Sequence, residues 1–145
     1  MKSPAELIDA FRANGKKVTP QRERIFHILH QSQEHPSADV VFAQLSAEMP
    51  TVSLKTVYQV LGELVEMGEI HVLDLGLGAM RFDPNSHTHH HLVCVICNGV
   101  EDVDVALPDV AKQVGDLSEF LIESIELTLR GRCSNCQGQV LDSSR

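Results

Sequence analysis

The sequence predicts an α+β fold in two parts, on three observations. As far as Gly68, apolar residues recur at helical spacing between capping residues; beyond it they alternate as strands do. Later, two Cys-x-x-Cys pairs, Cys94-Val-Ile-Cys97 and Cys133-Ser-Asn-Cys136, bracket one mixed segment. A chain of 145 residues suffices for one ordinary domain or two small ones. Its 43% apolar content excludes a disordered chain, but only 4% is aromatic, so Leu, Ile, Val and Ala must fill the core. No apolar run approaches the roughly 20 residues that cross a bilayer. The opening MKSPAELIDAF reads as an amphipathic helix and not a secretory signal. A soluble cytoplasmic protein without a membrane partner is expected, and in that reducing compartment four cysteines point to metal ligands before disulfides.

The helical part is punctuated by caps. Ser3 stands before Pro4 with Glu6 placed for a capping box, and Gly15 ends the helix. Thr19-Pro20 starts a second helix with Ile25, Phe26, Ile28 and Leu29 on its apolar face. Ser37 starts a third with Val40, Val41, Leu45 and Met49 spaced for burial and Pro50 as its stop. Ser53 starts a fourth, striped by Val57, Val60, Leu61, Leu64 and Val65 and closed by Gly68. Ile70, Val72 and Leu75 then suit a strand, Gly76-Leu77-Gly78 a turn, and Ala79 to Phe82 a returning strand. Helices followed by a two-stranded ribbon describe a winged helix-turn-helix, whose last helix enters the major groove of DNA. A helical bundle with an incidental hairpin is the other architecture this pattern allows.

Asp83-Pro84-Asn85-Ser86 is turn-rich and marks a hinge, dividing the chain into a winged-helix domain at 1–82, a hinge at 83–86 and a second domain at 87–145. In the second domain, His89 to Val95 and Val100 to Val105 read as strands around a Cys-x-x-Cys turn. Pro108 to Val114 reads as a helix, and Phe120 to Leu129 alternates as a strand. So small an α/β unit is expected to pair with a second copy.

The formal charge of −8 argues against general affinity for nucleic acid, but the charge is uneven. Arg12, Lys16, Lys17, Arg22 and Arg24 share thirteen residues with a single acid, Glu23; from Arg81 onward ten acids face five cations. A basic patch at one end can bind DNA while the acidic remainder stays off it; an ordinary solvated face is the plainer reading. On the first, Lys17 and Arg22 would reach the DNA backbone, and Tyr58 and Gln59 on the fourth helix would reach base edges.

The two Cys-x-x-Cys pairs start 39 residues apart, and each can offer two thiolates from a tight turn. Together Cys94, Cys97, Cys133 and Cys136 complete a tetrahedral shell for a structural zinc, closed and without an open position for chemistry. A redox dithiol is the alternative for a lone pair. The run SHTHHHLVCVIC places four histidines just before this site, too far from a chain end to be a tag. In a strand, His89 and His91 face one side while His90 faces the other. Two imidazoles alone are a weak site, or simply surface residues. Asp83, Asp102 and His35 are other donors near element ends, and nitrogens combined with carboxylates suit Fe(II) or Mn(II) as well as zinc. Spacing does not establish that these five converge.

The stretches TPQRERIFHIL, HPSADVVFAQL, SLKTVYQVLGELVEMGEI, RFDPNSHTHHHLVCVICNGVED and GRCSNC stand in the order found in the ferric uptake regulator (Fur) family, which nearly the whole chain resembles. The resemblance implies a homodimeric repressor of double-stranded operator DNA, with a winged-helix domain, a hinge and a dimerisation domain holding the four-cysteine zinc. It also implies a regulatory metal, Fe(II) or Mn(II), held by His35, Asp83, His89, His91 and Asp102. Asp at both 83 and 102, where iron-sensing members typically carry Glu, is similar to the peroxide-sensing, PerR-like branch. In such members peroxide oxidises a ligand histidine, which here would be His35 or His89. Two positions depart from the family. A second exchangeable site uses a histidine where this chain has Ile125, with other donors at Thr88, His90 and Asp109, and Thr88 is a poor ligand; this weighs against that site. Gln59 stands where iron-sensing members often have Arg, so their operator cannot be assumed.

Two other functions compete with a peroxide-sensing repressor. One is an iron, manganese or zinc uptake regulator of the same family that does not sense peroxide. The other is a zinc-dependent hydrolase, since His and Asp can hold a catalytic metal with its water. Against the hydrolase, no separate general base stands near the cluster and the helical half would have no role. The chain is therefore expected not to be an enzyme.

Overall fold

Hydroxyl side chains begin all four helices of the first part. In the computed structural model of the chain, residues 1–32, 34–106, 110–117 and 119–138 are described, apart from the side chains of 111, 116 and 117. Ser3 caps α1 (Pro4–Ala13), and Glu6 returns a bond to its backbone, completing the capping box. Thr19, Ser37 and Ser53 each accept from a backbone N–H three residues on, opening α2 (Pro20–Gln31), α3 (Ala38–Glu48) and α4 (Leu54–Glu66). Such caps satisfy donors that the first turn leaves orphaned. Gly15 and Gly68 leave α1 and α4 with φ of 68° and 69°, a backbone conformation that costs side-chain-bearing residues strain.

The chain divides into two compact units, Met1–His87 and Thr88–Arg145. Residues 83–86, expected as a hinge, belong to the first. Its core gathers one face of every helix: Leu7 and Phe11 from α1, Ile25, Phe26 and Leu29 from α2, Val41 and Leu45 from α3, and Val57, Val60, Leu61 and Leu64 from α4. The Phe11 and Phe26 rings meet with centroids 4.8 Å apart and planes tilted by 58°. A hairpin follows, β1 (His71–Leu73) antiparallel to β2 (Arg81–Asp83), with Val72 opposite Phe82. Its turn uses the expected glycines, Gly76 and Gly78, at φ of 65° and 83°. The returning strand starts at Arg81 and not at Ala79, because pairing begins only where Leu73 finds a partner. Phe82 then carries the hairpin into the helical core.

The second unit is a three-stranded sheet in the order β4-β3-β5, with β3 (His90–Cys94), β4 (Val100–Val103) and β5 (Thr128–Gly131). β3 pairs antiparallel with β4 and parallel with β5. The remaining helix, α5, spans Val110–Leu117. Pro108, the expected start of that helix, and Asp109 lie outside the described residues. The strand expected over 120–129 is confined to 128–131. Phe120 and Leu121 are 72% and 81% exposed, so alternation there reflects no buried face. A strand needs a hydrogen-bonding neighbour, and β3 meets this segment only from Leu127 onward. Among the described residues no helix is long and apolar enough to cross a membrane.

Phe26 is fully buried against Phe11. Phe26→Ala is expected to destabilise the protein by about 3–5 kcal/mol, read as a lower urea midpoint with the slope unchanged.

Candidate metal centres

Parallel pairing brings the two Cys-x-x-Cys segments together. Cys94 lies opposite Gly131 on adjacent parallel strands, so the turns that follow leave the sheet at the same end. In the first turn the Asn98 N–H donates to Cys94 O at 3.0 Å and the Cys94 N–H to Gly99 O at 2.9 Å. Asn98 takes a left-handed φ of 59°, which Asn tolerates better than most residues. A Cβ on Gly99 would stand 3.3 Å from Cys97 Sγ, so the glycine leaves room for the thiol. In the second turn the Cys136 N–H donates to Cys133 O at 2.9 Å, and Val95 N–H to Gly131 O at 2.8 Å ties the two together.

The four sulfurs lie within 4.8 Å of one another, and Cys97 and Cys133 Sγ are 3.8 Å apart. Thiolates about 2.3 Å from one zinc stand about 3.8 Å from each other in a tetrahedron, so the four cysteines fit that ion. None of them is in a disulfide. The N–H groups of Cys133, Cys97 and Ile96 pull the Cys94 thiol down to about 6. Cys136, against the Cys133 sulfur and buried, is pushed up to about 12. Without a cation these thiols resist ionising together; a divalent ion removes the conflict and releases their protons.

Each unit also holds a partial set of imidazole and carboxylate donors. In the first, His35 and Asp83 are 3% and 1% exposed, with His35 Nε2 3.5 Å from Asp83 Oδ1. The pair is built by β2 meeting the loop between α2 and α3. Arg81 Nη1 donates to His35 O at 3.2 Å and the Phe82 N–H to Pro36 O at 2.9 Å. Asp83 Oδ1 also accepts from the Asn85 N–H at 2.7 Å. In the second unit, His89 Nε2 lies 3.0 Å from His91 Nε2 and 3.4 Å from Asp102 Oδ1. Asp102 is the cross-strand partner of His91, which places the carboxylate on the face of β3 that carries both imidazoles. Two nitrogens about 2.1 Å from one ion and at right angles to each other stand about 3.0 Å apart, so His89 and His91 are spaced as neighbouring ligands.

His90 takes the other face of β3. At 7% exposed it is as buried as His91 at 6%, and its Nδ1 accepts from the Leu127 N–H at 3.3 Å. It serves as a rivet between β3 and the chain entering β5, a role that alternation alone did not signal.

Tyr58, 51% exposed, and Gln59 lie on the solvent face of α4, and Lys17 is exposed before α2. Arg22 is differently placed. Its guanidinium is 2.8 Å from Glu63 Oε1, donates to Lys17 O and lies 5.5 Å above the Phe11 ring. Lys16, Arg12 and Arg24 likewise face Glu63, Asp9 and Glu48. The basic segment is thus partly neutralised from elsewhere in the fold, which a count along the chain could not register. No ion pair to Lys17 is found among the described residues.

A model of the ferric uptake regulator family matches residues 13–130. The peroxide-responsive repressor PerR of Staphylococcus saprophyticus is 31% identical over 133 residues, covering 91% of this chain and 90% of the relative. Among solved structures, the ferric uptake regulator of Francisella tularensis with iron superposes with a TM-score of 0.75 at 27% identity, covering 84% of this chain and 95% of that one. PerR of Streptococcus pyogenes, solved for peroxide sensing and gene regulation, gives 0.55 at 30% identity, covering 94% and 95%. With four capped helices and a hairpin in one unit, and a four-cysteine sheet in the other, the chain belongs to the ferric uptake regulator family.

Proposed function

We propose that the protein is a metal-dependent transcriptional repressor that binds operator DNA as a homodimer and releases it on contact with peroxide. Residues 1–82 would engage the duplex, 83–86 serve as hinge, and 87–145 pair the subunits around the structural zinc of Cys94, Cys97, Cys133 and Cys136. Lys17 and Arg22 are assigned to phosphates, with Arg22 also committed to Glu63, and Tyr58 and Gln59 to base edges.

The observation that carries this reading is the division of the donors. His35 and Asp83 make a buried pair in one unit, and His89, His91 and Asp102 make a triplet in the other. Neither set fills a coordination shell of six, so an ion such as Fe(II) or Mn(II) gains by drawing on both. The ion then favours one arrangement of the two halves, and it changes DNA affinity only through that difference. Repression follows if the favoured arrangement sets the two α4 helices of a dimer on successive major grooves.

Two observations favour peroxide sensing over plain metal sensing. Both carboxylates are Asp, and a relative 31% identical is a peroxide-responsive repressor. His35 and His89 would hold an Fe(II) that could activate peroxide beside them, so that an imidazole would take one oxygen of the peroxide while the other leaves as water; Mn(II) would not readily support this. The imidazoles at risk are those of His35 and His89, and oxidation of either removes a donor.

Four outcomes are expected. Fe(II)-loaded protein exposed to peroxide should gain one oxygen on the peptide with His35 or on that with His89 and His91 and lose operator affinity, while the Mn(II) form keeps both mass and affinity. An Fe(II) form that keeps both is a plain iron, manganese or zinc regulator. Cys94→Ser or Cys133→Ser should unfold the second unit, since a closed thiolate shell contributes on the order of 10 kcal/mol; a chelator-stripped protein still dimeric by light scattering would contradict it. Lys17→Ala should weaken binding to every duplex and lower the salt slope by about one unit. Tyr58→Ala should instead erode sequence preference, measured as operator against random duplex.

A further inference from the structure

Glu63 is an acid at the inner edge of the face of α4 that carries Tyr58 and Gln59. Its side chain is only 14% exposed, and so is that of Arg22, to which it is ion-paired at 2.8 Å. Arg22 is itself held by Lys17 O and by the Phe11 ring, so the carboxylate is fixed from α2 and not merely from its own helix. Lys16 Nζ stands 3.8 Å from the same oxygen. Onto that oxygen, Gln59 Nε2 donates at 3.3 Å from one turn earlier. A carboxylate only accepts, so the amide can meet Glu63 only through its NH2 end.

We propose that Glu63 is a specificity-positioning residue, which orients the Gln59 amide so that its carbonyl and remaining N–H face outward together as an adenine-reading edge. This rests on the reading of α4 as the helix that enters the major groove. An amide reads adenine by accepting from N6 and donating to N7 at once, and both contacts require one of its two orientations. A free glutamine samples both orientations and many rotamers, and spends binding energy on the choice. Here one N–H is spent on Glu63 and the choice is made before DNA arrives. The ion pair with Arg22 matters twice: it holds the carboxylate still, and it offsets a negative charge that would repel phosphates. Glu63 touches no base in this scheme; it acts through Gln59.

The test uses the full chain loaded with Mn(II) and a pool of randomised duplexes, sequenced before and after capture. The wild type should enrich adenine at one position of each half-site. Gln59→Ala should flatten that position, lowering its preference about tenfold. Glu63→Ala should flatten the same position while leaving the preference at the others unchanged, and should add nothing to Gln59→Ala. Glu63→Gln, whose amide donates as well as accepts and so no longer selects one orientation of Gln59, should flatten that position too. Where Glu63→Ala does not fold, Glu63→Met keeps the side-chain bulk and removes the acceptor. A Glu63 variant that keeps the adenine preference, or that weakens all positions alike and additively with Gln59→Ala, overturns the proposal as a packing effect. If Gln59→Ala changes no position, the assignment of α4 as the reader fails first, and the proposal with it.

Discussion

Four residues of parallel pairing, His91–Cys94 against Thr128–Gly131, hold the second unit together. The direction of that pairing is the constraint. Side by side and parallel, both strands end at the same edge, and each runs straight into a Cys-x-x-Cys turn. Were β5 antiparallel, its turn would leave from the far end, about 13 Å away at about 3.3 Å per residue, beyond the reach of one ion. Beyond this pairing and the equally long antiparallel one of β3 with β4, the unit has little to rely on. Among its described residues only Val93, Cys94, Val100 and Cys136 are buried apolar groups, and two of those are ligand candidates. A core this thin is the circumstance in which small folds use a metal as a staple. The same sheet then has His89, His91 and Asp102 on one face and His90 pinned on the other, so its fold and its donor set depend on one register.

In the first unit the comparable device is β2. Its three residues do three jobs in succession. Arg81 binds the carbonyl of His35, Phe82 enters the helical core and donates to Pro36, and Asp83 places its carboxylate beside the His35 ring. The donor pair is therefore a consequence of how the hairpin packs. A change at Phe82 would disturb the pair even though the Phe82 side chain offers no metal ligand. The hairpin and the donor pair share a strand, since β2 supplies both the partner of β1 and the carboxylate beside His35.

The basic segment shows how folding revises a charge count. Its five cations are spread over thirteen residues, but Glu63 and Glu48 reach them from α4 and α3. Arg22 becomes a structural cation with part of its charge spent, whereas no ion pair to Lys17 is found among the described residues. Glu63 gains a meaning that its position in the sequence did not suggest. An acid on a helix proposed to read DNA is a poor choice for affinity taken alone, and a sensible one when a half-buried arginine holds it and a glutamine leans on it.

The sequence by itself determined the features decided within a few residues. The four hydroxyl caps, the stops at Gly15 and Gly68, the turn glycines at 76 and 78 and the two Cys-x-x-Cys turns depend on local backbone geometry and hydrogen bonds, so spacing reports them directly. The apolar stripes of α2 and α4 were legible for the same reason, since helical periodicity is set by the helix itself. The chain order of motifs also carried the family. Only the tertiary structure decided which segment of 120–131 is a strand, because a strand exists by virtue of its neighbour. It decided that His90 is buried as deeply as His91, that Arg22 belongs to Glu63, and that His35 and Asp83, 48 residues apart in the chain, are in contact. These are contacts across long stretches of sequence. Which of many chemically suitable partners a side chain meets is settled by packing, and packing is not written at any one position.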